Sequence, residues 1–136
     1  MKIKYIEDNT KFPVSTDRKF VKQINIFFEK DDIQDIILDY LGKNGYLDEI
    51  FNTKIEFKYE KICVYKNYHK SINETITKQT GTKISIPKSK LKDILLEFIS
   101  DNKETYIRSN IVILDTGTSI IIDKNMILLI IYYLEV

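Results

Sequence analysis

The strongest constraint on this chain lies at its end. Met126–Leu134 is an unbroken apolar run, Met-Ile-Leu-Leu-Ile-Ile-Tyr-Tyr-Leu. A membrane-spanning helix needs about 20 such residues. Nine must instead be buried within the protein, and a core has to be built around them. As a helix the run would be capped by Asp123 and would turn Ile127, Ile130, Ile131 and Leu134 inward. As a strand it would be buried on both faces. Its β-branched residues, the Tyr132-Tyr133 pair and the short connection from the preceding apolar segment favour the strand.

That preceding segment is Ile111-Val112-Ile113-Leu114-Asp115-Thr116-Gly117-Thr118-Ser119. Apolar residues followed by Asp-Thr-Gly-Thr-Ser resemble the loop around the catalytic Asp of pepsin-like and retroviral aspartic proteases. The resemblance covers five residues. It implies a dimeric protease in which Asp115 is one of two carboxylates sharing a proton, because one lobe supplies only one. In that family a long segment follows, with a flap and a further apolar-apolar-Gly strand. Here only seventeen residues follow Ser119, and none is Gly. They cannot build a flap. The other reading of the same letters is a two-residue hairpin with Thr116-Gly117 at its centre, where Gly permits positive φ. It sets Leu114 against Ser119, Ile113 against Ile120 and Val112 against Ile121. The hairpin is the expectation, and no catalytic residue is assigned.

Upstream, two amphipathic helices stand out. In the first, Ile33, Ile36, Ile37, Tyr40 and Leu41 recur at helical spacing. Asp31 or Asp32 is expected to cap it, Gly42 and Gly45 to end it, and Gln34, Asp35 and Asp39 to take its outer face. In the second, after Pro87, the apolar face is Leu91, Ile94, Leu95, Phe98 and Ile99, with Ser89 as the expected N-cap. Residues 33–41 match 91–99 at an offset of 58, identical or similar at every position except Gln34/Lys92; Asn44 and Asn102 also coincide. Ile24-Asn25-Ile26 and Ile84-Ser85-Ile86 precede the two helices.

Alternation predicts strands at Lys2–Ile6 and Thr53–Tyr59, the latter with Ile55, Phe57 and Tyr59 on one face and Lys54, Glu56 and Lys58 on the other. Phe20–Phe28 alternates too, and although Phe20, Val21, Ile24, Phe27 and Phe28 also fit a helix face, its β-branched and aromatic residues favour the strand. Lys61–Tyr68 is the hairpin partner of Thr53–Tyr59. Two weaker strands are expected in Ile72–Pro87, bent at Thr80-Gly81, and a loop at Asp8–Asp17. The fold class is therefore α+β, an antiparallel sheet packed by two amphipathic helices in one domain over 1–136. A tandem β-α-β-β repeat, roughly 20–76 and 80–136, is a further expectation.

Composition narrows the function classes. The chain has one Cys, Cys63, and one His, His69. No internal disulfide can form, a multi-ligand Cys/His zinc site is excluded by count, and a reducing, cytoplasmic setting is expected. The spacing of Cys63 and His69 fits no nucleophile motif. Met1–Asp8 lacks a signal-peptide core. Four scattered Gly leave no phosphate-cradling loop, so no nucleotide cofactor is expected. Asp31, Asp32 and Asp35 suit a helix start without a metal. None is assigned as a metal ligand.

The charge is segregated. Lys54 to Lys92 holds ten Lys against Glu56, Glu60 and Glu74, a balance of +7 that leaves −6 for the rest of a chain of net charge +1. The densest acidic part is Glu29–Glu49. Ile, Lys, Asn and Tyr are favoured, Trp is absent and Arg is scarce, which is the codon bias of an AT-rich genome. Lys interleaved with Tyr can track phosphates and stack bases, and Tyr is also a preferred anchor at protein interfaces. The candidate binding residues are Lys54, Lys58, Lys61, Tyr65, Lys66, Tyr68, His69 and Lys70. The expected function is that of a small protein-binding antagonist, of the kind that neutralises a toxin or blocks a host defence complex, acting by stoichiometric binding. Nucleic acid is the alternative partner. A membrane is not expected as a partner, and self-association through Met126–Leu134 is a further possibility.

Overall fold

The computed structural model describes residues 1–6, 21–45, 53–65 and 83–136. The expected loop at Asp8–Asp17, the Thr80-Gly81 bend and the first of the two strands expected before Pro87 lie outside the described residues. In chain order the elements are β1 (Lys2–Ile6), β2 (Lys22–Glu29), α1 (Lys30–Lys43), β3 (Lys54–Phe57), β4 (Lys61–Tyr65), β5 (Lys83–Pro87), α2 (Lys88–Asp101), the single turn α3 (Lys103–Tyr106), β6 (Ile111–Ile113), β7 (Ser119–Ile122) and β8 (Met126–Glu135). The fold is α+β, with all strand pairs antiparallel.

The apolar run at the chain's end is strand β8, the centre of a five-stranded sheet. It pairs with the whole of β2, from Lys22↔Tyr133 to Glu29↔Met126. β1 lies on the far side of β2. On β8, Ile127, Leu129, Ile131 and Tyr133 are fully buried, while Leu128, Ile130, Tyr132 and Leu134 are half-buried. The strand was expected to be buried on both faces. Only one face enters the core, because no described element covers the other.

The other edge of β8 overturns the expected hairpin at Thr116-Gly117. β6 does not pair with β7. Both pair with β8, β6 through Ile111↔Glu135 to Ile113↔Tyr133 and β7 through Ser119↔Ile130 to Ile122↔Ile127. They form one interrupted edge strand, with Asp115–Thr118 bulging from it. Leu114 N–H still donates to Tyr132 O at 2.9 Å, and Gly117 has φ +83°. The physical reason is twofold. A type I′ turn needs positive φ at both central residues, which β-branched Thr116 resists. A ten-residue β8 also offers an edge long enough for both short strands in line. The tight hairpin falls instead between β7 and β8, where Asp123 N–H donates to Met126 O at 2.9 Å and Asp123 Oδ1 accepts from Lys124 N–H at 2.7 Å.

A second, three-stranded sheet runs β3-β4-β5. Ile55, Ile62, Val64 and Ile86 face inward and join the single core formed with the helices and the first sheet. Tyr59 was expected beside Ile55 and Phe57. It is 78% exposed, because Lys58 N–H donates to Lys61 O at 2.8 Å and closes the β3–β4 turn with Tyr59 at its tip.

Both long helices have 14 residues and bury the faces read from their spacing: Ile33, Ile36, Ile37 and Leu41 in α1, and Leu91, Ile94, Leu95 and Ile99 in α2. Their caps differ from expectation. Glu29 is the N-cap of α1, and Asp32 at N3 accepts from Glu29 N–H at 3.0 Å. Pro87 caps α2, and the helix starts at Lys88 rather than after Ser89, since the Lys88 N–H is held by Glu60 O at 2.9 Å. At the C-termini, Asn44 and Asn102 act alike. Each donates its Nδ2 to the carbonyl four residues back, Tyr40 O or Phe98 O, at 2.8 Å.

The two sheets exchange partners across the chain. β2, ahead of α1, pairs with β8 at the end of the chain, and β5, ahead of α2, pairs with β4.

Candidate binding surface

In the three-stranded sheet, side chains of directly paired residues share a face. One face is apolar, and the alternate residues form the opposite face, which is exposed at Lys54, Lys61, Lys83 and Ser85 but buried at Cys63 in the central strand. Lys54, Tyr65 and Lys83 stand in one row across β3, β4 and β5, followed by Glu56, Cys63 and Ser85, then Lys61 and Pro87. Alternation in β3 and β4 thus delivers Lys54, Lys61 and Tyr65 to one surface. Lys58, just past β3, joins them through its ion pair with Glu56 at 2.6 Å. Lys66, Tyr68, His69 and Lys70 lie outside the described residues.

The electrostatics of this surface centre on Glu56. The hydrogen bond from Lys58 holds its carboxyl below the usual glutamate range, helped by the Lys58 charge, a Tyr65 hydrogen bond and the Lys54 charge. Glu56 in turn pushes the Lys58 ammonium up. Lys54, Lys61 and Lys83 are exposed. At the β3–β4 turn, Lys88 places its Nζ 5.9 Å from the Tyr59 ring centroid, which extends the lysine-tyrosine surface towards α2. The surface is therefore basic, with Glu56 inside it and Glu60 at the turn, and mixed in polarity. Tyr59 and Lys83 belong to it but were not assigned as binding residues. The alternation that put Tyr59 in the core hid the first, and the long-range β4–β5 register hid the second.

Cys63 is fully buried on this sheet. His69, the one His of the chain, lies outside the described residues. Asp115 and Thr116 are exposed on the bulge between β6 and β7. The bulge meets the start of α2, where Lys88, Ser89, Thr118 and Ser119 line a cleft of about 490 Å³. Thr118 Oγ1 is buried there without a hydrogen-bond partner. Among the described residues no group of three or more His, Cys, Asp or Glu is placed to hold a metal ion, and no helix is long and apolar enough to cross a membrane.

No family model, curated protein or solved structure matches the chain at a significant level.

Proposed function

We propose that the protein acts by binding another protein stoichiometrically, as an antagonist, and that the Lys/Tyr face of the β3-β4-β5 sheet is its contact surface for an acidic patch on that partner. The observation that carries this reading is the row Lys54–Tyr65–Lys83 with Glu56 in the row beside it. An aromatic residue flanked by cations suits the rim and anchor pattern of protein interfaces. The Glu56–Lys58 pair argues for a protein over a polyphosphate: it puts a carboxylate where a phosphate would otherwise approach, and leaves a donor–acceptor pattern for a polar partner to match.

The test pairs two arms. Affinity capture from a native lysate is run with the wild type and with Lys54→Glu/Lys61→Glu/Lys83→Glu, in which the Glu56–Lys58 pair is left intact. The proposal expects one partner band at equal stoichiometry, lost in the triple variant. In the second arm, labelled single- and double-stranded oligonucleotides are titrated at 50 and 200 mM salt. Micromolar binding that collapses with salt, and no protein partner, would sink the proposal in favour of nucleic acid.

A further inference from the structure

We infer that the groove between α1 and α2 is a second docking site, and that it takes a basic amphipathic segment of a partner protein about three helical turns long. The inference goes beyond the lysine face, is opposite to it in charge, and stands independently of it. The groove follows from how the helices lie. Lys90, at the start of α2, has its Nζ 5.6 Å from the ring centroid of Tyr40, near the end of α1. At the other end Asp32 of α1 shares a cavity with Phe98 and Tyr106. The helices therefore run antiparallel. Two adjoining hollows lie along their contact, about 290 and 620 Å³, joined through Ile36, Asp39 and Phe98. From Asp32 to Asn44 the groove is about 18 Å long at 1.5 Å per residue, the length of roughly twelve helical residues.

Its floor and rim have distinct chemistry. Ile36, Ile94, Phe98 and the Tyr40 and Tyr106 rings supply apolar and aromatic surface. Asp35, Asp39, Glu97 and Asp101 supply the rim. The two lysines on the groove are already engaged: Lys43 pairs with Asp39 at 3.0 Å, and Lys90 is held by Tyr40, whose hydrogen bond pushes the ammonium up. Asp35, Glu97 and Asp101 have no ion-pair partner among the described residues. A trough with apolar and aromatic patches, edged by carboxylates (Asp32, Asp35, Asp39, Glu97, Asp101) that outnumber the cations on it (the Met1 ammonium, Lys43, Lys90), complements a segment with apolar anchors at i, i+3, i+4 and i+7 and Lys or Arg beside them. The cations would answer the rim charges while the anchors cover Phe98 and Ile36. An acidic or uncharged segment would leave those charges facing like charge or nothing.

The test uses a fluorescein-labelled peptide of about 14 residues with Leu at that spacing and Lys elsewhere. Two control peptides have every Lys changed to Glu, or every Leu changed to Ser. Anisotropy is read against the full-length protein and its Asp35→Lys/Glu97→Lys variant. Both positions are exposed and form no salt bridge among the described residues, Glu97 making only a through-space attraction to Lys90, so the variant should keep its urea midpoint. The Lys/Leu peptide is expected to bind, both controls to fail, and the double variant to bind about tenfold more weakly, since two attractive contacts become repulsive. Lys54→Glu/Lys61→Glu should leave the affinity within about twofold, which separates this site from the lysine face. Equal binding to the double variant, or equal binding of the Leu→Ser peptide, would overturn the inference. So would light scattering that shows a salt-sensitive dimer abolished by Asp35→Lys/Glu97→Lys, because the occupant would then be a second copy of the chain.

Discussion

Leu129→Ala and Ile130→Ala, taken as a pair, test the strand that organises the fold. Leu129 is fully buried, with Ile26 of β2 on one side and Ile120 of β7 on the other, both themselves buried. Removing three carbons there leaves a cavity between three strands that cannot collapse independently. The cost is about 3–4 kcal/mol, within the range for buried Leu→Ala. That is a fifth or more of the whole stability of a typical domain. At roughly 4 °C per kcal/mol for a chain of this size, the midpoint should fall by about 12–16 °C. Ile130 is its neighbour on the opposite face, half-buried and paired with Asn25 and Ser119. Its truncation forfeits part of a transfer term and some strand preference, about 1 kcal/mol or 4 °C. Thermal unfolding by circular dichroism, with urea midpoints as a second probe, reads both. Equal losses, or a larger loss at Ile130, would refute the register. A one-residue slip exchanges the two faces, and a helix over the same residues would turn Ile130 inward.

Three shorter predictions follow from individual contacts. Thr118→Val removes a buried hydroxyl without a partner; the variant should unfold at a urea midpoint equal to or higher than the wild type, by up to about 1 kcal/mol, and a loss would mean the hydroxyl is bonded. Asn102→Ala removes the side-chain bond to Phe98 O and should cost about 0.5–1 kcal/mol, with Asn44→Ala costing a similar amount; denaturant titration of both checks it. Burial alone would raise the pKa of Asp32, but hydrogen bonds from the Met1 α-amino group, 2.9 Å away, and from Glu29 N–H, with the ammonium charge, bring it below the usual aspartate range. A depressed carboxylate stabilises the fold above its unfolded pKa, and the contribution is lost as pH falls through the folded value. Asp32→Asn should therefore be less stable at pH 7 by no more than about 1 kcal/mol, since Asp32 is about a third exposed. The gap between variant and wild type should close below about pH 4. A gap that persists at pH 2 would contradict this cause.

Local periodicity made the elements legible. The spacing of Ile33, Ile36, Ile37 and Leu41, and of Leu91, Ile94, Leu95 and Ile99, fixes which helix faces are buried, because helical geometry and burial act over a few residues. β-Branching likewise marked Met126–Leu134 as a strand. What local pattern does not carry is which edge a strand occupies. Ile111–Leu114 and Ser119–Ile122 look like hairpin arms from their own letters, yet both pair with β8, whose length decides the matter. The caps were missed for a related reason. Glu29 and Pro87 close the preceding strands, and a strand residue reads as an extended one until the helix that starts after it is placed. Of the binding surface, β3 and β4 were legible as alternating strands, whereas Lys83 joins only through long-range pairing. The groove was written in part at the aligned positions Tyr40 and Phe98, but its acidic rim draws on both helices and needed their antiparallel placement. We propose, beyond this, that the two halves of the chain arose by duplication. The equal helix lengths, the matching Asn44 and Asn102 bonds and the crossed pairing of β2 with β8 and β5 with β4 support it.

The most direct test of the binding proposal is calorimetric titration of the purified captured partner into the protein. One-to-one stoichiometry is expected, with an affinity that Lys54→Glu/Lys61→Glu/Lys83→Glu weakens by at least a hundredfold while leaving the fold intact. An unchanged affinity in that variant would contradict the assignment of the lysine-tyrosine face as the contact surface.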